Sequence, residues 1–374
     1  MDLTETKFRK FRPKPDYFLV LLCIGLALFG LVMIGSASSL IAFERFDGHN
    51  NYYFVGKQAV SLVIGLVLMF FAQGIDYRSY KKYAFVLLII TIFLLILSLL
   101  PGIGKETKGA HRWIELGFLN FQPSEIAKLT FIVYLSSWFS SRVKINILPL
   151  LLIVGVMSVL IISQPDLGTL TIIVGIAITL FFTAGGSYMQ LFAGLGILSV
   201  LFGVFIRSSA YRWQRFLTFM NPSTESQGAG YHINQAIIAV GSGGIMGLGF
   251  GKSIQKYLYL PEPYSDSIFA IIAEELGLFR TSIIIFAFAL VAWRGFRVAQ
   301  NAPDKFGKLL ATGITVWIVL QAFINIGAIT GVLPLTGVPL PFISYGGSSL
   351  IATLVAVGIL INISKQANAN ETNL

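Results

Sequence analysis

The sequence predicts an all-α, polytopic membrane protein, and three observations carry that prediction. Of the 374 residues, 55% are hydrophobic and only 12% charged, with a mean hydropathy of +0.78, outside the usual range of a soluble globular domain. The apolar residues fall in runs of about 18 to 25, the length at which a helix crosses a hydrocarbon core. The alternation of apolar and polar residues that marks a membrane strand barrel is absent from the sequence. The single cysteine, Cys23, lies inside the first apolar run, so the chain has no disulfide framework and no thiolate cluster for a metal.

Read in order, a basic segment 1–16 precedes an apolar run from Tyr17 to Ile34 and the small residues GSASS. That run is too long for the core of a signal peptide and many more follow, so it reads as an uncleaved first span. The runs predict ten helices near 17–38, 54–75, 82–101, 122–140, 146–163, 168–185, 187–206, 266–293, 308–330 and 346–364. With the amino end inside, fifteen Lys and Arg fall on inner segments and four, Arg45, Lys105, Lys108 and Arg112, on the short outer loops. This satisfies the positive-inside rule and places both termini in the cytoplasm. One membrane domain, 17–365, then lies between cytoplasmic tails 1–16 and 366–374. The net charge of +10 follows from topology and attraction to anionic membrane lipid, with no nucleic acid needed.

Between the seventh and eighth helices a long outer loop, 207–265, breaks the short-loop pattern and carries Arg207, Arg212, Arg215, Lys252 and Lys256. Long loops in compact domains are usually functional. Its glycine-rich stretch GYHINQAIIAVGSGGIMGLGFGKS is too broken for an ordinary span and suits a re-entrant or interfacial segment, which must line protein or water.

The strongest chemical signal is YLPEPYSDSIFAIIAEELG, which drives Glu262, Asp266, Glu274 and Glu275 into apolar surroundings. An ionised carboxylate at membrane depth costs roughly 2.5–3.5 kcal/mol on insertion scales, so it is kept where it faces a cavity, a partner or a substrate. The plainer reading makes Glu262 and Asp266 helix caps at the water interface. Glu274 and Glu275 lie roughly two and a half turns deeper and suit structure or cavity hydration.

Three further constellations accompany it. In FQPSEIAKL, Glu125 and Lys128 share one helix face and either neutralise each other or serve a ligand. The preceding loop, KETKGAHRWIELG, supplies Lys105, Lys108, His111, Arg112 and Trp113 at headgroup level. In SQPDLGTL, Asp166 sits in a tight outer turn, as a cap or a cavity acid. In LPLTGVPLPFISYGGSS, prolines and glycines make irregular backbone around Ser344, Ser348 and Ser349, suited either to tight packing of a broken helix or to direct contact with a ligand. Under the predicted topology all these groups share the outer level and form a polar cavity open to the outside. A transporter would need acids reachable from both faces near the midplane, so the outward clustering favours an enzyme over a flippase. A scaffold would leave the membrane-depth acids unexplained.

These strings, RWIELGFLNFQPSEIAKL, ISQPDLGT, YRWQRFLTFMNPSTESQGAGYHINQAIIAVGSGGIMGLGFGKS, KYLYLPEPYSDSIFAIIAEELG and PLTGVPLPFISYGGSSL, resemble the SEDS family (shape, elongation, division and sporulation) over nearly the whole chain. KYLYLPE and QGAGYHINQ resemble its division and sporulation branches more than its elongation branch. The resemblance implies a ten-span peptidoglycan glycosyltransferase that polymerises lipid II at the outer face of the cytoplasmic membrane. It also implies a class B penicillin-binding protein as cross-linking partner, alongside other division proteins. The family's essential aspartate, in the pattern P-E-x-H-T-D-F-I-F-A, falls on Asp266. Here Tyr264 stands for the histidine, Ser265 for the threonine and Ser267 for the phenylalanine. An α-linked diphosphate donor and a β-linked product imply inversion, with Asp266 as general base on the acceptor hydroxyl. Arg212, Arg215, Lys128 or a divalent cation, Mg or Mn, would stabilise the leaving diphosphate.

Overall fold

The computed structural model describes residues 15–45, 50–107, 110–116, 119–190, 192–194, 196, 203, 207, 229–257 and 259–371. Helices α1 (Tyr17–Arg45), α2 (Tyr53–Gly74) and α3 (Tyr77–Leu99) are followed by a small sheet and by α4 (Pro123–Ser140), α5 (Ile147–Ser163) and α6 (Leu167–Thr183). After the predicted seventh span, described at only a few positions, come α7 (Ala229–Ser242), α8 (Ile268–Gln300), α9 (Lys305–Ile329) and α10 (Gly347–Glu371). Among the described residues α1, α2, α3, α8, α9 and the 347–367 part of α10 are long and apolar enough to cross a membrane, and α5 and α6 are shorter apolar helices. The chain is a polytopic, mostly helical membrane protein.

Burial sorts these helices. The apolar windows of α9 and α10 are 72% and 78% buried, those of α1, α2, α3 and α8 only 28–39%. The first two therefore form the centre, while Leu21, Phe70, Phe85, Phe93, Phe279 and Phe286 of the outer helices face away from the protein. Without a hydrophobic drive between helices in lipid, small residues permit close approach: at Gly358 of α10 an added Cβ would lie 2.5 Å from the Met69 carbonyl of α2. Side chains define several helix starts, Asp76, Asn146, Asp166 and Asp304 each accepting from a backbone N–H in the first turn that follows. The carboxylate of Asp304 also accepts from Tyr77 Oη at 2.6 Å and Arg78 Nε at 2.9 Å, tying the start of α3 to the α8–α9 turn.

Four expectations change. The segment after α3, read from the sequence as a loop, is a small sheet: β1 (Gly104–Thr107), β2 (Ala110–Leu116) and β3 (Leu119–Phe121) pair antiparallel in the order β1-β2-β3, with Gly104 opposite Ile114 and Ile114 opposite Phe121. Backbone leaving a span must satisfy its own N–H and C=O groups, and these strands do so while Ile114 is buried. The first helix runs to Arg45 rather than 38, and the last continues to Glu371, through much of the expected tail.

The eighth helix is the largest departure, for it starts at Ile268 and breaks at Gly277, where φ is 76° and ψ 173°. The segment after α7 fills the break. Leu248 N and Gly249 N donate to the carbonyls of Glu274 and Glu275 at 3.0 Å, and Leu278 N and Phe279 N donate to those of Gly244 and Ile245 at 2.9 and 3.2 Å. The glycine-rich stretch thus enters the fold by exchanging backbone hydrogen bonds with an interrupted helix. A Cβ at Gly277 would lie 2.2 Å from Gly247 N. Gly277→Ala should therefore cost at least about 1–3 kcal/mol from the positive φ alone, read as a lowered melting temperature in detergent with Gly74→Ala, where a Cβ meets nothing within 4 Å, as the control.

Candidate active site

Asp266 lies in the turn that leads into α8, half-buried. Its main chain is held from several sides. Asn325 Nδ2 of α9 donates to the Asp266 carbonyl and to the Val338 carbonyl, both at 2.7 Å. Tyr345 N donates to the Tyr264 carbonyl at 2.9 Å. The bend at Gly337, φ 68°, comes so near that a Cβ there would be 3.7 Å from Asp266 Oδ2. The proline-glycine turn and the aspartate, 71 residues apart at Gly337 and Asp266, therefore form one site.

The Glu125–Lys128 pair belongs to the same frame. Lys128 Nζ lies 2.9 Å from Glu125 Oε1 and 2.8 Å from Gln321 Oε1, fully buried, with the Trp317 ring 5.2 Å away. Gln321 also accepts from Trp317 Nε1 at 2.8 Å and donates to the Pro339 carbonyl at 2.9 Å. Gln321 and Asn325, one turn apart on α9, thus join the ion pair, the 338–339 backbone and Asp266 into one polar network. Glu125 Oε2 and Asn325 Oδ1 are buried without a hydrogen bond from the described residues, so both retain acceptor capacity. Sequence reasoning passed over Gln321 and Asn325, although two amides at i and i+4 in an apolar span were a readable signal.

Asp166 caps α6, accepting from Thr169 N at 3.0 Å and Thr169 Oγ1 at 2.8 Å. Arg112 of β2 braces the turn before it, donating from Nε to the Gln164 carbonyl at 2.7 Å and from Nη2 to the Pro165 carbonyl. This end of α6 packs on the Gly337 bend: a Cβ at Gly168 would be 2.0 Å from Val338 Cγ2 and 3.0 Å from Thr336 Cβ. Asp166 therefore sits beneath the site as a cap. Ser344 Oγ accepts from Leu340 N at 2.7 Å, and Ser348 Oγ accepts from Gln122 N at 3.1 Å and donates to the Asn120 carbonyl at 3.0 Å. These two hydroxyls hold the turn and its junction with β3 and α4. Arg212 and Arg215 lie outside the described residues.

The deeper acids are anchors. Glu274 accepts from Ser253 Oγ and from Ile254 N at 3.0 Å, and Glu275 accepts from Ser36 Oγ at 2.7 Å and Lys256 Nζ at 2.9 Å. They fasten the glycine-rich segment to α8 and α1, as their depth suggested.

The turn that carries Asp266 packs among aromatic rings. Tyr264 and Phe54 have ring centres 4.4 Å apart, and Tyr345 meets Tyr264 and Phe54 edge-on at 5.5 and 5.4 Å. Burial pushes the Tyr264 phenol up, with Glu262 adding to it, and pushes that of Tyr345 up to about 12, with Tyr53 and Tyr264 adding. Both phenols are neutral at physiological pH and can donate hydrogen bonds. Glu262, half-buried at a positive φ of 49°, accepts through its carbonyl from Ser265 N at 3.1 Å and so closes the turn before Asp266.

The sequence pattern of the FtsW/RodA/SpoVE family of cell cycle proteins matches residues 17–369. Stage V sporulation protein E of Bacillus subtilis is 41% identical over 95% of this chain and 98% of its own length. The probable peptidoglycan glycosyltransferase FtsW of Geobacter metallireducens is 40% identical over 93% of this chain and 94% of its own. Among solved structures, a chain of a peptidoglycan synthase complex that coordinates polymerization and crosslinking superposes with a TM-score of 0.80 at 27% identity, covering 94% of this chain and 98% of that one. The rod shape determining protein RodA of Thermus thermophilus gives a TM-score of 0.69, also at 27% identity, over 94% of this chain and 97% of that one. The match in sequence runs through the turn of Asp266, the Glu125–Lys128 pair and the Gly337 bend alike, and the chain belongs to the FtsW/RodA/SpoVE family.

Proposed function

We propose that Asp266 is the general base with which this peptidoglycan glycosyltransferase polymerises lipid II at the outer face of the cytoplasmic membrane. One observation carries the reading: Glu125, Asp166, Glu274 and Glu275 are at most 5% exposed and engaged with a cation, a helix start or loop N–H and hydroxyl groups, whereas Asp266 is half-buried on a main chain pinned to α9. A carboxylate so placed can take the proton of an acceptor hydroxyl as its oxygen attacks the anomeric carbon of the donor sugar. The α-linked bond to the lipid diphosphate breaks, a β-linkage forms, and the proton ends on Asp266.

The diphosphate leaves without a protein acid, but its charge needs stabilisation. Arg212 and Arg215 are the proposed cations. Lys128, bound to Glu125 and Gln321, serves instead to hold the network in place. Magnesium or manganese enters this reading as the counterion of the substrate's diphosphate. Among the described residues no three His, Cys, Asp or Glu side chains gather to hold a metal.

The finer topology belongs to the same reading: ten spans, both termini cytoplasmic, and 207–265 an outer loop whose glycine-rich part returns into the membrane. A class B penicillin-binding protein would cross-link the product, with other division proteins and membrane lipid as neighbours. Purified protein with lipid II, alone and with the cognate transpeptidase, tests the reading. Glycan polymer is the expected product, while movement of lipid II across vesicles without polymer would identify a flippase instead.

A further inference from the structure

We propose that His232 is a positioning residue for Asp266, acting through the hydroxyl of Ser267; the proposal rests on the general-base reading above. Where the family pattern puts phenylalanine after the aspartate, this chain has Ser267, and its side chain is fully buried. Ser267 Oγ donates to the Pro261 carbonyl at 3.0 Å and lies 2.6 Å from His232 Nε2 of α7. A hydroxyl has one proton. With that proton on the Pro261 carbonyl, His232 must supply its own, so Nε2 carries hydrogen and donates.

The consequence falls on the neighbouring residue. The peptide linking Asp266 to Ser267 is gripped on one side by Asn325 of α9, through the Asp266 carbonyl, and on the other by His232 of α7, through Ser267. Only two side-chain torsions separate that peptide from the carboxylate. The footing of α7 is firm, because the segment that follows it exchanges backbone hydrogen bonds with α8 around Gly277. A phenylalanine at 267 could make neither polar contact, so this clamp is particular to chains with a hydroxyl there. A shift of about 1 Å in a reacting group costs up to about 10²-fold in rate, and loss of one of the two grips should realise part of it.

The test is lipid II polymerisation by the full chain with its transpeptidase, comparing His232→Asn, His232→Gln, Ser267→Ala and both double variants. A Gln amide can take the place of Nε2, and an Asn amide is too short to reach Ser267. His232→Asn should lower kcat about tenfold with KM changed less than about twofold, as expected of a partly misplaced base. His232→Gln should recover most of that loss, and in the Ser267→Ala background His232→Asn should cost less than about a further twofold. An unchanged kcat in His232→Asn, a loss carried by KM, or an equal loss in the Ser267→Ala background would each overturn the proposal. Asp266→Asn measured alongside separates the two ideas. If it is inactive while His232→Asn is unimpaired, only the role of His232 falls; if it polymerises normally, the general-base reading falls first.

Discussion

Asp266→Asn should reduce lipid II polymerisation by about 10²- to 10⁴-fold, the usual contribution of a positioned general base. Asparagine has nearly the size and shape of aspartate, and the contacts that fix this turn run through backbone, from Asn325 to the Asp266 carbonyl and from Tyr345 N to the Tyr264 carbonyl. The melting temperature in detergent should therefore stay near that of the parent protein while polymer disappears from a gel of the reaction products. A loss of polymer together with early melting would point to a structural role. Full activity would remove Asp266 from the chemistry. The neutral phenols of Tyr264 and Tyr345 nearby could not replace it as a base at physiological pH.

Lys128→Met should be the most destabilising change at the site, by about 3–5 kcal/mol, because it leaves Glu125 buried without its counter-charge. Both partners of the pair are buried to within 2% of complete, and Glu125 Oε2 already lacks a donor among the described residues. The double change Glu125→Gln with Lys128→Met should recover most of that stability, since it removes both charges at once. Denaturant or thermal unfolding in detergent reads the difference between single and double variants. Equal stability of the two would mean that Glu125 is protonated or hydrated rather than held as an ion. Activity adds a second readout. If the pair also orders the network through Gln321 to Pro339, the double variant should fold and yet polymerise slowly.

Much of the fold was legible because lipid constrains a chain more simply than water does. Runs of apolar residues long enough to cross the membrane had to be helices, and those near 54–75, 122–140, 146–163 and 308–330 coincide with α2, α4, α5 and α9 to within a few residues. The three-stranded sheet was not legible, since its strands are short and its pairing answers a need of the backbone rather than a pattern of side chains. The break at Gly277 was hidden for a related reason: the glycine-rich stretch read as re-entrant, but nothing in either segment named the other as its hydrogen-bond partner.

The site divides in the same way. By itself the sequence determined that acids interrupt apolar segments, that Glu125 and Lys128 share a helix face, and that irregular backbone precedes the last span, because each is a local matter of residue type and spacing. Only the tertiary structure decided which of these groups meet. It placed Gln321 and Asn325 between the ion pair and Asp266, turned Asp166, Ser344 and Ser348 to capping and bracing, and set His232 against Ser267 from 35 residues away. Polar side chains inside a membrane bundle take whichever partner packing brings within about 3 Å, and that is a property of how helices cross rather than of any one helix.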